Sequence, residues 1–242
     1  MESPFLIIIG IFSLVGLGCL ISFSSIKDII RIYSTATSRI NALPMAGLVE
    51  IVGKVEPGSI TSPISATACA FWQVEVMEKR SGSKGSSHWE TIYEASSEEP
   101  FEIKDETGKL KIRSQKARLI LHNDLKESSG LFNSMDAHIT EALLKMDIET
   151  KGFLGINRSL RVYERLLTPN EQIYVLAEIQ ENEGQTSFAD RIAPLLISDR
   201  SERGLLMTLY QRVAVKVFLT TVIGGVVYFF FIMRGSWGGP GG

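Results

Sequence analysis

Two long uncharged apolar runs stand near the ends of the chain, residues 5–23 and 217–233, and between them the pattern changes to short alternations of apolar and polar positions. At a rise of about 1.5 Å per residue, each run is long enough to cross a hydrocarbon layer of about 30 Å as a helix. Helical spacing continues beyond the first run. Ile26, Ile29, Ile30, Tyr33, Ala36 and Ile40 recur at three- and four-residue steps among Lys27, Asp28, Arg31 and Arg39, until Pro44 ends the pattern. The second run is entered in the same way. Asp199 and Glu202 have capping-box spacing, and Leu205, Leu209, Val213 and Val217 follow down one face. Two membrane helices with amphipathic stems are expected, packed as an antiparallel stalk or as a homo-oligomeric bundle.

The region between the stems predicts strands at 48–55, 69–77, 89–93, 101–104, 110–113, 117–121, 160–167 and 172–179, which are rich in β-branched and aromatic residues. Residues 81–87 read as an exposed loop, and 105–108 as a tight turn closed by Gly108. Residues 133–146 break the pattern. A polar start at Asn133 and Ser134, one apolar face (Met135, Ile139, Ala142, Leu143, Met146) and Gly152 as the stop predict a helix. The expected fold is mainly β with helical additions (α+β): a small antiparallel β-barrel or sandwich with one helical insertion, carried on two transmembrane helices with cytosolic amphipathic extensions. The expected limits are 1–26 for the first transmembrane helix, 27–43 for a juxtamembrane amphipathic helix and 44–198 for the β-rich domain, with its insertion at 133–149. An amphipathic helix at 199–216, the second transmembrane helix at 217–233 and a flexible tail at 234–242 complete the chain.

Charge sets the expected orientation. Lys27, Arg31, Arg39, Arg203, Arg212 and Lys216 flank the apolar runs on the central side and only Arg234 lies on the other, so the central domain is expected in the cytoplasm. The first run is expected to be a retained anchor rather than a cleaved signal: Glu2 replaces a basic n-region, the run is long, and no small-x-small site precedes Lys27. A formal net charge of -2 with mixed signs gives no basic stripe for nucleic acid.

Candidate chemistry is sparse. The 3 His (His88, His122, His138) and 2 Cys (Cys19, Cys69) show no metal-ligand spacing, so no structural zinc is expected and a two-zinc RING lacks its eight ligands. Cys69 sits in an apolar strand context that suits a core thiol rather than a nucleophile. Ser62 and Ser65 lie in a Pro-containing loop with no base nearby in sequence. The acid pairs Glu98/Glu99 and Asp105/Glu106 flank turns, where solvated carboxylates are the default. No P-loop or dinucleotide fingerprint is present. The aromatic residues Phe71, Trp72, Trp89, Tyr93 and Phe101 fall in consecutive strands and are expected in the core. No catalytic, cofactor-binding or metal residue is assigned, and no cofactor is expected.

One resemblance emerges from the order of short motifs: residues 47–57 (GLVEIVGKVEP), Ser62-Pro63, residues 69–75 (CAFWQVE), Trp89, residues 100–105 (PFEIKD) with Thr107-Gly108, Tyr163-Glu164, Leu167, residues 173–176 (IYVL) and residues 197–202 (ISDRSE). The chain resembles the GIDE, or "beside a membrane" (BAM), domain family, the membrane-bracketed domain of a mitochondrial ubiquitin ligase. That resemblance implies a RING-less, prokaryotic member whose domain corresponds to the partner- or substrate-binding part. Ligase activity in the family resides in the RING, so no catalytic residue carries over. The function expected is a two-span membrane protein displaying a non-catalytic β-rich adaptor or scaffold domain. Its partners are the lipid bilayer and an unidentified protein, with homo-oligomerisation possible and no nucleic acid. The alternative is an E3 ubiquitin-ligase-like component that acts with a separate RING or conjugating protein. A membrane-attached hydrolase using Cys69 or a turn carboxylate is the third class.

Overall fold

A computed structural model describes residues 4–82, 85–130, 133–179 and 192–236. The loop centre at 83–84 and the tail from Trp237 onward lie outside the described residues. The chain divides into two compact units, one formed by Met1–Ala36 with Glu202–Gly242 and the other by Thr37–Ser201. The helices are α1 (Pro4–Ile21), α2 (Phe23–Ser34), α3 (Ala137–Lys145) and α4 (Glu202–Ser236). The strands are β1 (Gly47–Val55), β2 (Ile60–Thr61), β3 (Ala68–Cys69), β4 (Phe71–Ser81), β5 (Ser87–Ser96), β6 (Phe101–Lys104), β7 (Lys109–Ile112), β8 (Arg118–Ile120), β9 (Leu125–Ser128), β10 (Leu160–Leu167), β11 (Gln172–Ile179) and β12 (Ile192–Ser198).

The central unit is mixed α/β and mostly sheet. One sheet runs β7-β6-β1-β11-β12-β8, a second runs β5-β4-β10-β9, and β2 pairs with β3. Among the described residues neither large sheet closes on itself, so the expected barrel is replaced by open sheets. β7 and β8, which would have to meet for closure, end opposite edges of the first sheet. β8 also pairs with β12 in parallel, where an antiparallel arrangement was expected.

Alternation decides what each sheet buries. On β1, Val49, Ile51 and Val55 point to one core, where they meet Ile103, Ile112, Ile173 and Val175. Phe71 and Leu167, from the ends of β4 and β10, reach into the same core, with the Phe71 and Phe101 rings 6.2 Å apart. A second core fills the space between the inner face of the four-stranded sheet (Val74, Val76, Leu160, Val162) and α3 (Ile139, Ala142, Leu143).

Two strands missed by the sequence pattern have physical explanations. β12 contains Pro194, which cannot donate to a ladder, yet it lies between β11 and β8. The ladder accommodates it with a register shift at Leu176/Ala177, and Ala177 pairs with Pro194. β9 has only four residues and little contrast between its faces.

Helix limits also differ from expectation. α3 begins at Ala137 because Asp136 caps it, accepting from the His138 N–H at 3.0 Å; Asn133 and Ser134 stay outside. It stops at Met146, and Asp147 takes the left-handed conformation (φ 58) expected of Gly152. Asp199 does not cap α4; its carboxylate accepts instead from the backbone N–H of His122 at 2.6 Å.

In the helical unit, the stem expected through Ile40 is shorter. The helix breaks at Ser22, restarts as α2, and ends where Thr35 adopts an extended conformation. Residues Ser13–Ile21 and Phe23–Ser34 are bent by 70°. α1 and α4 run antiparallel in close contact. A Cβ on Gly18 would lie 2.8 Å from the Val217 Cα, and one on Gly224 would strike the Leu14 side chain. Gly225 has open space around it. Glu202–Val226 is long and apolar enough to cross a membrane, and Ser13–Ile21 with Phe23–Ser34 passes the same test as a bent pair.

Candidate functional site

The groups that could support catalysis are engaged elsewhere. Cys69 is fully buried; burial first, and the charge of Glu164 second, push its thiol up to about 11, far from a reactive thiolate. Ser62, Ser65 and Thr67 form a chain of hydroxyl contacts, with Ser62 Oγ to Ser65 Oγ at 2.7 Å and Ser65 Oγ to Thr67 Oγ1 at 2.9 Å. Their loop is pinned by Glu164, a fully buried carboxylate on β10 that accepts from the Ile64 N–H at 3.1 Å and the Ser65 N–H at 3.2 Å. Sequence reasoning missed Glu164 as a buried group. The signal was present, because Glu164 shares strand parity with the core residues Val162 and Leu166.

Other acids behave similarly. Glu50 is buried and accepts from the Thr37 hydroxyl at 2.6 Å and the Tyr174 hydroxyl at 2.8 Å. Glu78 holds Arg158 at 2.7 Å, and that hydrogen bond draws its carboxyl below the usual range; Arg158 in turn donates to the Glu149 carbonyl. Glu56 is clamped by Lys104 and then Lys109, which lower its pKa. Of the sequence-predicted acid pairs, Glu98, Glu99 and Glu106 are exposed. Asp105 turns inward beside a cleft of about 590 Å³ lined by Thr37, Arg39, Lys54, Lys104 and Thr107. Burial would raise its pKa, but the Thr107 hydroxyl and the amides of Ile40, Thr107 and Gly108 together hold it at about 2. A carboxyl so occupied makes a turn anchor and a poor general base. His88, His122 and His138 lie apart, on β5, after β8 and on α3, and among the described residues no group of three His, Cys, Asp or Glu could hold a metal ion.

The distinctive surface is the outer face of the four-stranded sheet. Register places Trp89 beside Lys79, then Thr91, Met77, Arg161 and Ser128 in the next row, then Glu94, Glu75, Tyr163 and Lys126. Lys79, Arg161 and Lys126 thus step diagonally across three strands, about 8 Å apart given strand spacing and residue rise. None of the three has a carboxylate partner among the described residues. Both carboxylates of the face are already engaged: Arg165 and Thr91 bind Glu75, and Gln73 donates to Glu94. The Arg161 guanidinium lies 3.9 Å over the Trp89 ring, and the Lys126 ammonium lies 5.9 Å over Tyr163. Trp89 is therefore on this platform rather than in the core expected for it. Phe71 and Phe101 are core residues, and Trp72 and Tyr93 pack against the second core.

A mostly-sheet α/β domain joined to apolar helices, with a cation-rich open sheet face, defines the general class. The GIDE family, described as an E3 ubiquitin ligase family, matches residues 73–229, from β4 well into α4. The chain belongs to the GIDE family. The match takes in all four strands of the sheet that carries the cation-rich face and begins after β1, so the motif at 47–57 lies before it. No curated protein and no solved structure matches the chain.

Proposed function

We propose that the chain is a two-span membrane protein that displays its central unit on the cytoplasmic side as a non-catalytic partner-binding domain, serving as adaptor or scaffold. The observation that carries this reading is the outer face of the four-stranded sheet: cations and aromatic side chains are presented together on a regular grid, with Glu75 paired to Arg165 and Glu94 held by the Gln73 amide. Rigid sheet faces of this kind suit recognition, because the strands fix spacing while the long side chains adapt. Support for the two spans comes from α4 and from α1 packed antiparallel against it through Gly18 and Gly224. The excess of Lys and Arg on the central side favours the cytoplasmic orientation.

The test is recovery of bound protein from detergent-solubilised membranes, comparing the wild-type chain with a Lys79→Glu/Arg161→Glu/Lys126→Glu variant. Loss of a specific partner on charge reversal supports the reading; recovery of the same partners by both proteins removes it. The family description favours a second reading, a ligase-type component working with a separate RING or conjugating protein. Reconstitution with ubiquitin-activating and conjugating enzymes, with and without a RING protein, separates the two: conjugates that require this chain support the second.

A further inference from the structure

We propose that α2 is an interfacial helix, lying in the lipid headgroup layer with one apolar edge against the bilayer, rather than a stem standing in water. The proposal rests on the reading that α1 and α4 cross the membrane. With 3.6 residues per turn, the twelve residues of α2 divide into three arcs. Ser25, Asp28, Ile29 and Ile32 form the buried arc, and α2 packs on α4. Phe23, Ile30 and Tyr33 form a second arc, with Ile26 between them, and are 64%, 61% and 65% exposed. Lys27 and Arg31 occupy the third arc, next to the apolar edge. An apolar edge with basic residues beside it is the pattern of helices that lie in a membrane surface, because the apolar side chains enter the acyl boundary while the cations meet phosphates.

Direction and depth agree with this placement. α2 departs from α1 by 70°. When α1 stands upright, α2 runs close to the membrane plane and gains only about 6 Å of height along its length. Gly18 against Val217 fixes the relative level of α1 and α4. Tyr210 lies seven residues before Val217, where the second apolar run begins, about 10 Å along the axis and just past a headgroup layer about 5–8 Å thick, within reach of it for a long side chain. There the side chains of Tyr33 and Tyr210 approach each other. Paired aromatic residues with polar tips belong at that boundary. Met207, 61% exposed on α4, adds another apolar side chain to the same helical unit.

The test uses the full chain with Cys19→Ala, reconstituted in vesicles of zwitterionic and anionic phosphatidyl lipids. Single nitroxide labels are placed at Ile26→Cys, Ile30→Cys and Tyr33→Cys, with Lys54→Cys as a water-exposed reference. Collision with dissolved oxygen and with a water-soluble nickel chelate then reports depth. The expected result is oxygen accessibility well above nickel accessibility at 26 and 30, an intermediate ratio at 33, and an aqueous ratio at 54. Nickel accessibility at 26 and 30 equal to that at 54 overturns the proposal. So does shielding from both reagents, which would place a second protein copy on that edge. An alkaline carbonate wash identifies which level has failed: release of the chain from vesicles removes the membrane reading itself, whereas retention with aqueous labels removes only the interfacial helix.

Discussion

Replacing Asp105 by Asn isolates one carboxylate as the knot between two chain segments. Its Oδ1 accepts from the Thr107 N–H at 2.6 Å, the Thr107 hydroxyl at 2.7 Å and the Gly108 N–H at 2.9 Å, while Oδ2 accepts from the Ile40 N–H at 2.8 Å. Asn can keep one set of acceptors but must aim its NH2 group at the other donors, and it loses the charge that shortens such bonds. The carboxyl is held at about 2 against an ordinary 3.8, and linkage converts that difference to at most about 2.4 kcal/mol. Asp105 is only partly buried, so solvent screening reduces the figure to about 1 kcal/mol. The sign follows from the depressed value: the contribution is complete well above pH 3.8, declines as pH falls through 3.8, and is gone below about 2. For a unit of this size, about 1 kcal/mol corresponds to a drop of roughly 2–4 °C in Tm at pH 7. Thermal unfolding of the full chain in detergent, followed by tryptophan fluorescence at pH 7 and at pH 3, measures both the drop and its shrinkage in acid. A variant that melts with the wild type at pH 7, or a gap that stays constant down to pH 3, would refute the role assigned to this carboxylate.

Other outcomes follow from the same structure. Glu164→Leu should cost about 1–3 kcal/mol by leaving the Ile64 and Ser65 amides without an acceptor, while Glu164→Gln costs less; amide hydrogen exchange at those two residues should rise in the Leu variant. Cys69 should resist iodoacetamide at pH 8 in the folded chain and react only on denaturation, since its thiol is buried and raised to about 11; rapid native labelling would contradict this. Gly18→Val should separate α1 from α4, because its first carbon already meets the Val217 backbone; spin-label distances between the two helices should lengthen, whereas Gly225→Ala should leave them unchanged. Arg158→Ala should destabilise the central unit by about 1–3 kcal/mol in urea unfolding, because it leaves Glu78 with Arg80 alone and frees the Glu149 carbonyl.

Much of the strand pattern was legible because alternation is a local signal. β1, β6, β7, β10 and β11 fall where apolar residues repeat every second position. What escaped depended on neighbours. β12 reads as a proline-interrupted apolar run until β11 supplies the matching register shift. Asp199 and Glu202 have the spacing of a cap, but the turn toward β8 gives Asp199 a better donor in His122. Trp89 looks like core by composition and lies outward because of its pairing with Lys79. The cation diagonal is invisible in sequence, since Lys79, Lys126 and Arg161 come from three strands that only folding makes adjacent. Glu50 was unreadable for a related reason: it lies on the half-exposed face of β1 that also carries Lys54, and it is buried because Thr37 and Tyr174, distant in sequence, close over it.

The long-range pairing in the six-stranded sheet dictates an order of events at the ribosome. Hairpins β4–β5 and β6–β7 can close as soon as they emerge, but Gly47 must wait for Ile179 and Leu119 for Ile197. The strand that completes the sheet is thus the last one made before α4, so the nascent domain carries an open, sticky flank until the moment its second apolar helix leaves the exit tunnel. Truncation anywhere before Ser198 would leave that unfinished intermediate permanently incomplete.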